Sequence, residues 1–291
     1  MTDFPKVTVV VPVRNAASTI DDCFESLRAL NYPRDCLEII VVNNGSTDET
    51  QTLLEKFQLS ITVLHEEKKG PAAARNKGIR NANGEIVVFT DADCTVEPDW
   101  LQNLVLLLKD ETVGVVGGKI LSKRPCNRIE KFGEQIHNHN QAINICTPPY
   151  VITMNWASRR STLEELGMFD ERFLRSEDVE LSRRILQAGY KFAYAEQATI
   201  YHRNEKTFFG LVAEGFTHGF HSIKFFKVHR VFMERSGHRR IFLRSYLNVA
   251  ISLMKAVIGP DRHKSLCEFL FNVAKKCGKV AGSVRFRHLD L

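Results

Sequence analysis

Glu85-Ile86-Val87-Val88-Phe89-Thr90-Asp91-Ala92-Asp93 is the stretch that decides how this chain folds. After Glu85, a short run of β-branched and aromatic side chains reads as a buried strand. Asp91 and Asp93 stand where that strand runs out into a loop. Two carboxylates one residue apart can hold a divalent cation. A hard cation held by only one or two protein carboxylates keeps positions open for water or phosphate oxygens. Asp-x-Asp alone is equally an ordinary turn, because Asp is favoured in turns. The elements around it choose between these readings.

Upstream, Lys6 to Val13 reads as a buried strand closed by Pro12, and Leu37 to Val42 as a second. Ser18 is placed as the N-cap of a helix carrying Ile20, Phe24, Leu27 and Leu30. Asn43-Asn44-Gly45-Ser46 is a turn, and Ser46 with Glu49 three residues on predicts a capped helix start. Ile61 to Leu64 is a third strand, and Pro71 opens a helix through Ile79, with Gly84 leading into the Asp91 strand. Strands and helices in alternation predict an α/β fold with a parallel sheet covered on both faces. Such sheets bind ligands at the carboxyl ends of their strands, which places Asn15, Asn44, Asp91 and Asp93 along one edge. Beyond residue 110 the expected elements are a strand at Val113–Gly118, a polar helix over Asn127–Asn144, a strand at Tyr150–Ala157 and a short helix at Ser161–Leu166. A strong helix follows at Glu177–Ala188, then strands at Tyr190–Ala195 and Ala198–Tyr201. From Lys206 the chain reads as helical.

The chain has 291 residues and 44% hydrophobic content, enough for one large core or two small ones. Charge is unevenly spread. Glu205 to Leu291 carries 16 Lys+Arg and 6 Asp+Glu, a net of +10, and the remainder is −4. That basic tail points to an anionic partner or to solvated helix faces. Seven cysteines without a C-x-x-C pair argue for free thiols in a reducing compartment rather than a disulfide framework or a zinc site. Met1 to Lys6 has no apolar run and does not read as a signal peptide. No segment reaches ~18 uncharged apolar residues, so no spanning helix is expected.

Taken in order, several segments resemble family 2 glycosyltransferases. They are Val10-Val11-Pro12-Val13-Arg14-Asn15, Val41-Val42-Asn43-Asn44-Gly45-Ser46-Thr47-Asp48, Gly70-Pro71-Ala72-Ala73-Ala74-Arg75-Asn76, Asp91-Ala92-Asp93 and Ser176-Glu177-Asp178. The resemblance covers about residues 5 to 205. It implies a GT-A fold, with a Rossmann-like, mostly parallel central sheet flanked by helices. The expected organisation is a catalytic domain over 1–205, with a nucleotide-sugar half to about 120 and an acceptor half beyond, followed by a basic helical extension over 206–291.

The resemblance implies an inverting, metal-dependent transferase using a nucleotide-sugar, a UDP-sugar by preference. Asp93, supported by Asp91, would hold Mn2+ or Mg2+, and His202 would be a third ligand or a hydrogen-bonded structural residue. Asp178 would be the general base, with Glu177 positioning the loop or the acceptor. The alternative for Glu177-Asp178 is the ordinary preference for acids in the first turn of a helix. Pro12, Arg14, Asn15, Asn44, Arg75, Asp91, Ala92, Asp93 and Asn155 fall on nucleotide-sugar-binding segments. Asn44 replaces the usual Asp of the base-reading position, and an amide can still pair with uracil. Arg75 offers a planar fork to a diphosphate or base edge, or is a surface Arg. Trp156 stacks on a sugar or packs in the core, and Gly117-Gly118 lies under the donor or forms a bulge. Asp48 is expected to support the turn.

In the tail, Phe208, Phe209, Phe216, Phe220, Phe225, Phe226 and Phe232 interleave with Lys224, Lys227, His229 and Arg230. Leu266, Phe269, Leu270, Val273, Cys277 and Val280 recur at helical spacing beside Lys275, Lys276 and Lys279. This is either a stripe for an anionic membrane surface or a subdomain packing on itself. The expected partners are a nucleotide-sugar donor, a glycan, lipid-linked or small-molecule acceptor, and an anionic membrane, with no nucleic acid. The expected location is cytoplasmic, peripheral on the cytoplasmic face of the membrane. A sugar nucleotidyltransferase would need a glycine- and basic-rich loop after the first strand, and Pro12 to Ala17 is not that. A dehydrogenase would need G-x-G-x-x-G there. A non-catalytic nucleotide-sugar scaffold is the remaining alternative, opposed by intact Asp91, Asp93 and Asp178.

Overall fold

The computed structural model describes residues 4–57, 60–146, 148–229 and 238–287; at 238–246 it describes the backbone alone. It divides into two compact units, Met1–Lys123 with His137–Arg203, and Arg124–Ile136 with Asn204–Leu291. The cut after Arg203 lies near the expected boundary at 205. Arg124–Ile136, however, groups with the C-terminal helices although it sits inside the expected catalytic stretch.

The first unit is built on one eight-stranded sheet. Its parallel part comprises β1 (Val7–Val13), β2 (Leu37–Asn43), β3 (Thr62–His65) and β4 (Ile86–Phe89). Then come β5 (Cys94–Val96), β6 (Val113–Ser122), β7 (Trp156–Arg159) and β8 (Lys191–His202), giving the order β3-β2-β1-β4-β7-β6-β8-β5. β7 runs antiparallel to both β4 and β6, whereas β6 and β8 are parallel. β1 is apolar except for Thr8 because both faces are covered, as in buried parallel strands. Val9 and Val11 join one core cluster, with Phe24, Leu27, Trp100 and Leu104. Val10 joins the other, with Ala72, Ile79, Leu181 and Ile185.

Pro12 does not end β1, which continues to Val13. Thr90 N–H donates to the Val10 carbonyl, so residues 10 and 12 direct their polar groups toward β4. The β4 pairing stops at Val10↔Phe89, so the N–H that proline lacks has no partner waiting.

The helices of this unit are α1 (Ile20–Arg28), α2 (Thr50–Glu55), α3 (Pro71–Asn81), α4 (Trp100–Leu107), α6 (His139–Asn144), α7 (Arg160–Glu165) and α8 (Glu177–Gln187). Neither Ser18 nor Ser46 caps as expected. The α1 cap position is Thr19, and the Ser46 hydroxyl instead accepts from Asn15 N–H. Asp48 does the local work near α2, accepting from the Thr50 N–H and hydroxyl. The polar helix expected over Asn127–Asn144 splits into α5 (Arg128–Ile136) and α6. The two strands expected near 190–201 are one, β8, with a register shift opposite Gly118/Lys119. Gly118 is required there, since a Cβ would stand 2.3 Å from the Ala198 carbonyl oxygen.

The second unit contains α5, α9 (Phe208–Val228), α10 (His238–Ile258) and α11 (Arg262–Phe286). α9 and α11 meet along glycines. A Cβ on Gly219 would lie 1.9 Å from Lys275 O, and one on Gly278 2.0 Å from Phe216 O. Of the tail stripes read in α9 and α11, Phe225 is buried, whereas Phe208, Phe209, Phe216, Leu266 and Val280 remain exposed. Arg230 and Phe232 lie outside the described residues. No helix among the described residues is long and apolar enough to cross a membrane.

Candidate functional site

The carboxyl ends of β1, β2 and β4 form one edge, and the loops leaving them carry the polar residues. Asp91 directly follows β4 and is half-buried, its side chain 29% exposed. Its Oδ1 accepts from Arg75 Nη2 at 2.9 Å, and Arg75 Nη1 donates to Glu177 Oε1 at 2.7 Å. Arg75 projects from α3, Glu177 opens α8, and both are buried, at 4% and 8% side-chain exposure. One guanidinium fork thus ties the strand that ends at Asp91 to the turn that carries Glu177 and Asp178, joining positions up to 102 residues apart. The forked nitrogens expected to meet nucleotide are engaged by two carboxylates, and Arg75 is not the surface arginine of the alternative reading. Arg75 Nε and the Thr90 hydroxyl, both beside Asp91, are buried without hydrogen-bond partners among the described residues.

Ser176 precedes Glu177 with φ of 67°, a left-handed conformation uncommon outside glycine. That bend sets Glu177 and Asp178 at the first turn of α8, where the helix dipole favours negative charge. The Asp178 carboxyl is nevertheless pushed up to about 7. Burial is the main cause and the neighbouring Glu177 charge adds to it, while the Val179 N–H and Arg75 pull the other way. A carboxyl poised there is about half ionised at neutral pH, and its ionised form is basic enough to take a proton.

On the other side of the Asp91-Ala92-Asp93 turn, Asp93 Oδ2 lies 3.4 Å from His202 Nε2. Burial would raise the Asp93 carboxyl, but the His202 hydrogen bond and charge outweigh it and hold it below its ordinary value. His202 ends β8, which pairs with β5 through Cys94↔His202. Sequence reasoning missed two cysteines here. The Cys94 thiol donates to Asp93 Oδ1 at 3.6 Å and the Cys23 thiol to the Asp91 carbonyl at 3.7 Å. Burial and the nearby aspartates push both thiols up, so they stay neutral donors. Their signal was only the apolar spacing of Cys23 in α1 and the adjacency of Cys94 to Asp93.

The donor atoms of Asp93 and His202 fit a divalent cation. Adjacent ligands of an octahedral ion with bonds of about 2.1 Å stand ~3 Å apart, close to the separation seen. A carboxylate with an imidazole is a natural set for Mn2+. Arg75 takes only one oxygen of Asp91.

Asn15 has φ of 52° and its Oδ1 accepts from Thr47 N–H at 2.8 Å, pinning the loop after β1 to the loop after β2. Asp48 Oδ2 accepts from Ala17 N–H across the same junction. Asn44 is 5% exposed. Its amide donates to the carbonyls of Glu66 at 2.9 Å and Lys68 at 2.8 Å, and its Oδ1 accepts from Gly70 N–H at 2.8 Å. One lone pair remains for any base, so the group that sequence reading assigned to base recognition is engaged in clamping residues 66–70. Arg14 is exposed, Pro12 half-buried and Ala92 buried within the turn.

Asn155 does not reach this edge. It is fully buried, its Oδ1 accepting from Trp100 Nε1 at 2.9 Å and its amide nitrogen donating to the carbonyls of Lys119 and Ala198. The expected place near a donor sugar is corrected to a cross-brace under β6 and β8. Trp156 packs against Phe169 in the core, and Gly117 faces the His139 ring rather than a ligand.

The family described as "Glycosyl transferase family 2" matches residues 8–182. Glycosyltransferase AglE of Haloferax volcanii is 29% identical over 66% of this chain and 64% of its own length. Probable glycosyltransferase YdaM of Bacillus subtilis is 32% identical over 71% of this chain and 53% of its own. The chain thus spans about half to two thirds of these relatives. Among solved structures, mannosyltransferase PcManGT from Pyrobaculum calidifontis, in complex with GDP-Man and Mn2+, is 25% identical with a TM-score of 0.62. That alignment covers 100% of this chain and 77% of the other. The sheet and its flanking helices are those of the GT-A fold.

Proposed function

This chain belongs to glycosyl transferase family 2, and on that premise we propose that it moves a sugar from a nucleotide-sugar to an acceptor hydroxyl with inversion. The observation that carries the reading is the Arg75 fork, which holds Asp91 and Glu177 in one buried bridge. It joins a carboxylate suited to a donor's cation and the turn bearing a base-strength carboxylate. Asp93 and His202 would hold Mn2+ or Mg2+, with Asp91 beside them in a supporting role. The cation, when bound, neutralises charge on the departing nucleoside diphosphate.

Asp178 accepts the proton of the acceptor hydroxyl as that oxygen attacks the anomeric carbon from the face opposite the diphosphate. The new C–O bond forms as the old one breaks, and the electron pair leaves with the nucleoside diphosphate, so configuration inverts. Glu177 faces Arg75 and acts as a positioning residue. Asn44 holds residues 66–70 as a wall of the nucleotide side. The donor is a UDP-sugar in the first instance, and because PcManGT was solved with GDP-Man, guanine donors belong in the same trial. The acceptor hydroxyl sits on a glycan, a lipid-linked sugar or a small molecule, and the protein works peripherally on an anionic membrane surface at its cytoplasmic face.

The test is slow hydrolysis of UDP- and GDP-sugars without acceptor, with Mn2+ present. Hydrolysis of at least one donor, lost in Asp93→Asn, is expected. A folded wild-type protein that neither binds nor hydrolyses any donor overturns the reading.

A further inference from the structure

We infer that the exposed apolar stripe of α10 is the face by which this protein lies on an anionic lipid bilayer. This deepens the membrane contact proposed above and rests on it. The sequence pointed to α9 and α11 for such a face; both keep exposed apolar side chains, Phe209 at 85% and Val284 at 78% among them, but each also carries a glutamate, Glu214 and Glu268. Leu211, Ile223 and Phe225 of α9 and Cys267 and Ala274 of α11 are buried, and Phe216 stacks on Phe220.

α10 differs. Leu247 is 57% exposed, Met254 55%, Val257 61%, Ile258 72% and Leu253 46%. At about 100° per residue, these five with Ala250 fall within an arc of roughly 140°. Contiguous large apolar side chains are seldom left against water without a partner. The charge on the same helix narrows the choice of partner. His238 to Ile258 contains Arg239, Arg240, Arg244 and Lys255 and no Asp or Glu. An apolar stripe on an acid-free, basic helix is complementary to acyl chains below phosphate headgroups, with attraction added by each cation near the surface. The helix is 21 residues long but does not qualify as a membrane span, so it lies in the interface plane rather than across it.

The experiment is co-sedimentation of the full chain with vesicles containing about one-third phosphatidylglycerol in phosphatidylcholine, or phosphatidylcholine alone, at low and high salt. Met254→Asp and Val257→Asp remove the stripe at solvent-exposed positions. Val284→Asp is the control, a still more exposed valine on α11, 78% accessible. Wild type and Val284→Asp are expected to pellet with the anionic vesicles, less so in high salt. The two α10 variants are expected to lose at least about tenfold in partitioning while keeping the wild-type melting temperature. If wild type stays in the supernatant, the membrane contact itself is wrong. If wild type pellets and the α10 variants pellet equally, the contact stands and the assignment to α10 falls. If wild type self-associates in solution and Val257→Asp abolishes it, a second copy is the occupant and the lipid inference is overturned.

Discussion

Replacing Arg75 with leucine strands two carboxylates. In the native protein its Nη2 and Nη1 reach Asp91 at 2.9 Å and Glu177 at 2.7 Å, with only 4% of the side chain exposed. Breaking a buried pair by deleting one partner costs about 3–5 kcal/mol, because the remaining charge is neither solvated nor compensated. At about 2–4 °C per kcal/mol for a unit of this size, the melting temperature should fall by ~6–20 °C. The loss should depend on pH in a stated direction. A stranded buried carboxylate is relieved by taking a proton, so the folded variant binds more protons than its unfolded chain and its stability falls as pH rises. The deficit should be larger at pH 8 than at pH 5.5. Arg75→Lys keeps the charge but not the fork, and should lie between the two. Arg75 also draws the Asp178 carboxyl down, so its removal should carry the acidic limb of kcat/KM above the wild-type position near 7. Thermal melts at the two pH values and one pH–rate profile decide it. A leucine variant as stable as wild type at pH 8, with an unmoved acidic limb, would refute the account of Arg75 as the shared counter-ion.

Other predictions follow the same geometry. Asp178→Asn should keep donor affinity and lose transfer by ~10²–10⁴, read by turnover alongside nucleotide titration. Because the Asp178 carboxyl is raised to about 7, the folded chain holds a proton that the unfolded chain has lost above pH ~4. Wild-type stability should therefore fall by on the order of 4 kcal/mol as pH rises from 4 past 7, and urea melts of Asp178→Asn should lack that slope. Asn44→Asp separates clamp from reader. A carboxylate there faces the carbonyls of Glu66 and Lys68, so inhibition by UDP and GDP should weaken alike by about tenfold, as loss of one to two hydrogen bonds implies. Tighter UDP binding with GDP unchanged would instead make residue 44 a direct reader of the base.

The parallel half of the sheet was legible because β1, β2 and β4 are largely buried and carry apolar runs, Val9–Val11, Ile39–Val42 and Ile86–Phe89. Pro71 marked the start of α3 by its fixed φ and missing N–H. The acidic positions were legible because strand ends in such a sheet converge on one edge. What the sequence hid was pairing at long separation. Nothing local to Arg75 says that its partners are Asp91 and Glu177, and the sequence offered only a diphosphate, a base edge or solvent for its fork. Asn155 was misplaced for the same reason, since its partners Trp100, Lys119 and Ala198 are remote in the chain. Asn44 followed its motif, but the segment it grips was not visible as a partner. β8 read as two strands because the polar Glu196-Gln197 interrupts the apolar pattern, at the place where the register shifts. The α9–α11 seam was written in Gly215, Gly219, Gly278 and Gly282, two i, i+4 pairs whose meaning depends on each other.

The central claim is that Asp93 and His202, supported by Asp91, would hold a divalent cation on which nucleotide binding depends. Its most direct test is nucleotide diphosphate titration by calorimetry in Mn2+ and in EDTA, on wild type and on Asp93→Asn. The account predicts that chelation weakens wild-type affinity at least about tenfold, that Mn2+ restores it, and that Asp93→Asn binds weakly in both conditions. Equal affinity in EDTA and Mn2+, or full Mn2+-dependent binding by Asp93→Asn, would contradict it.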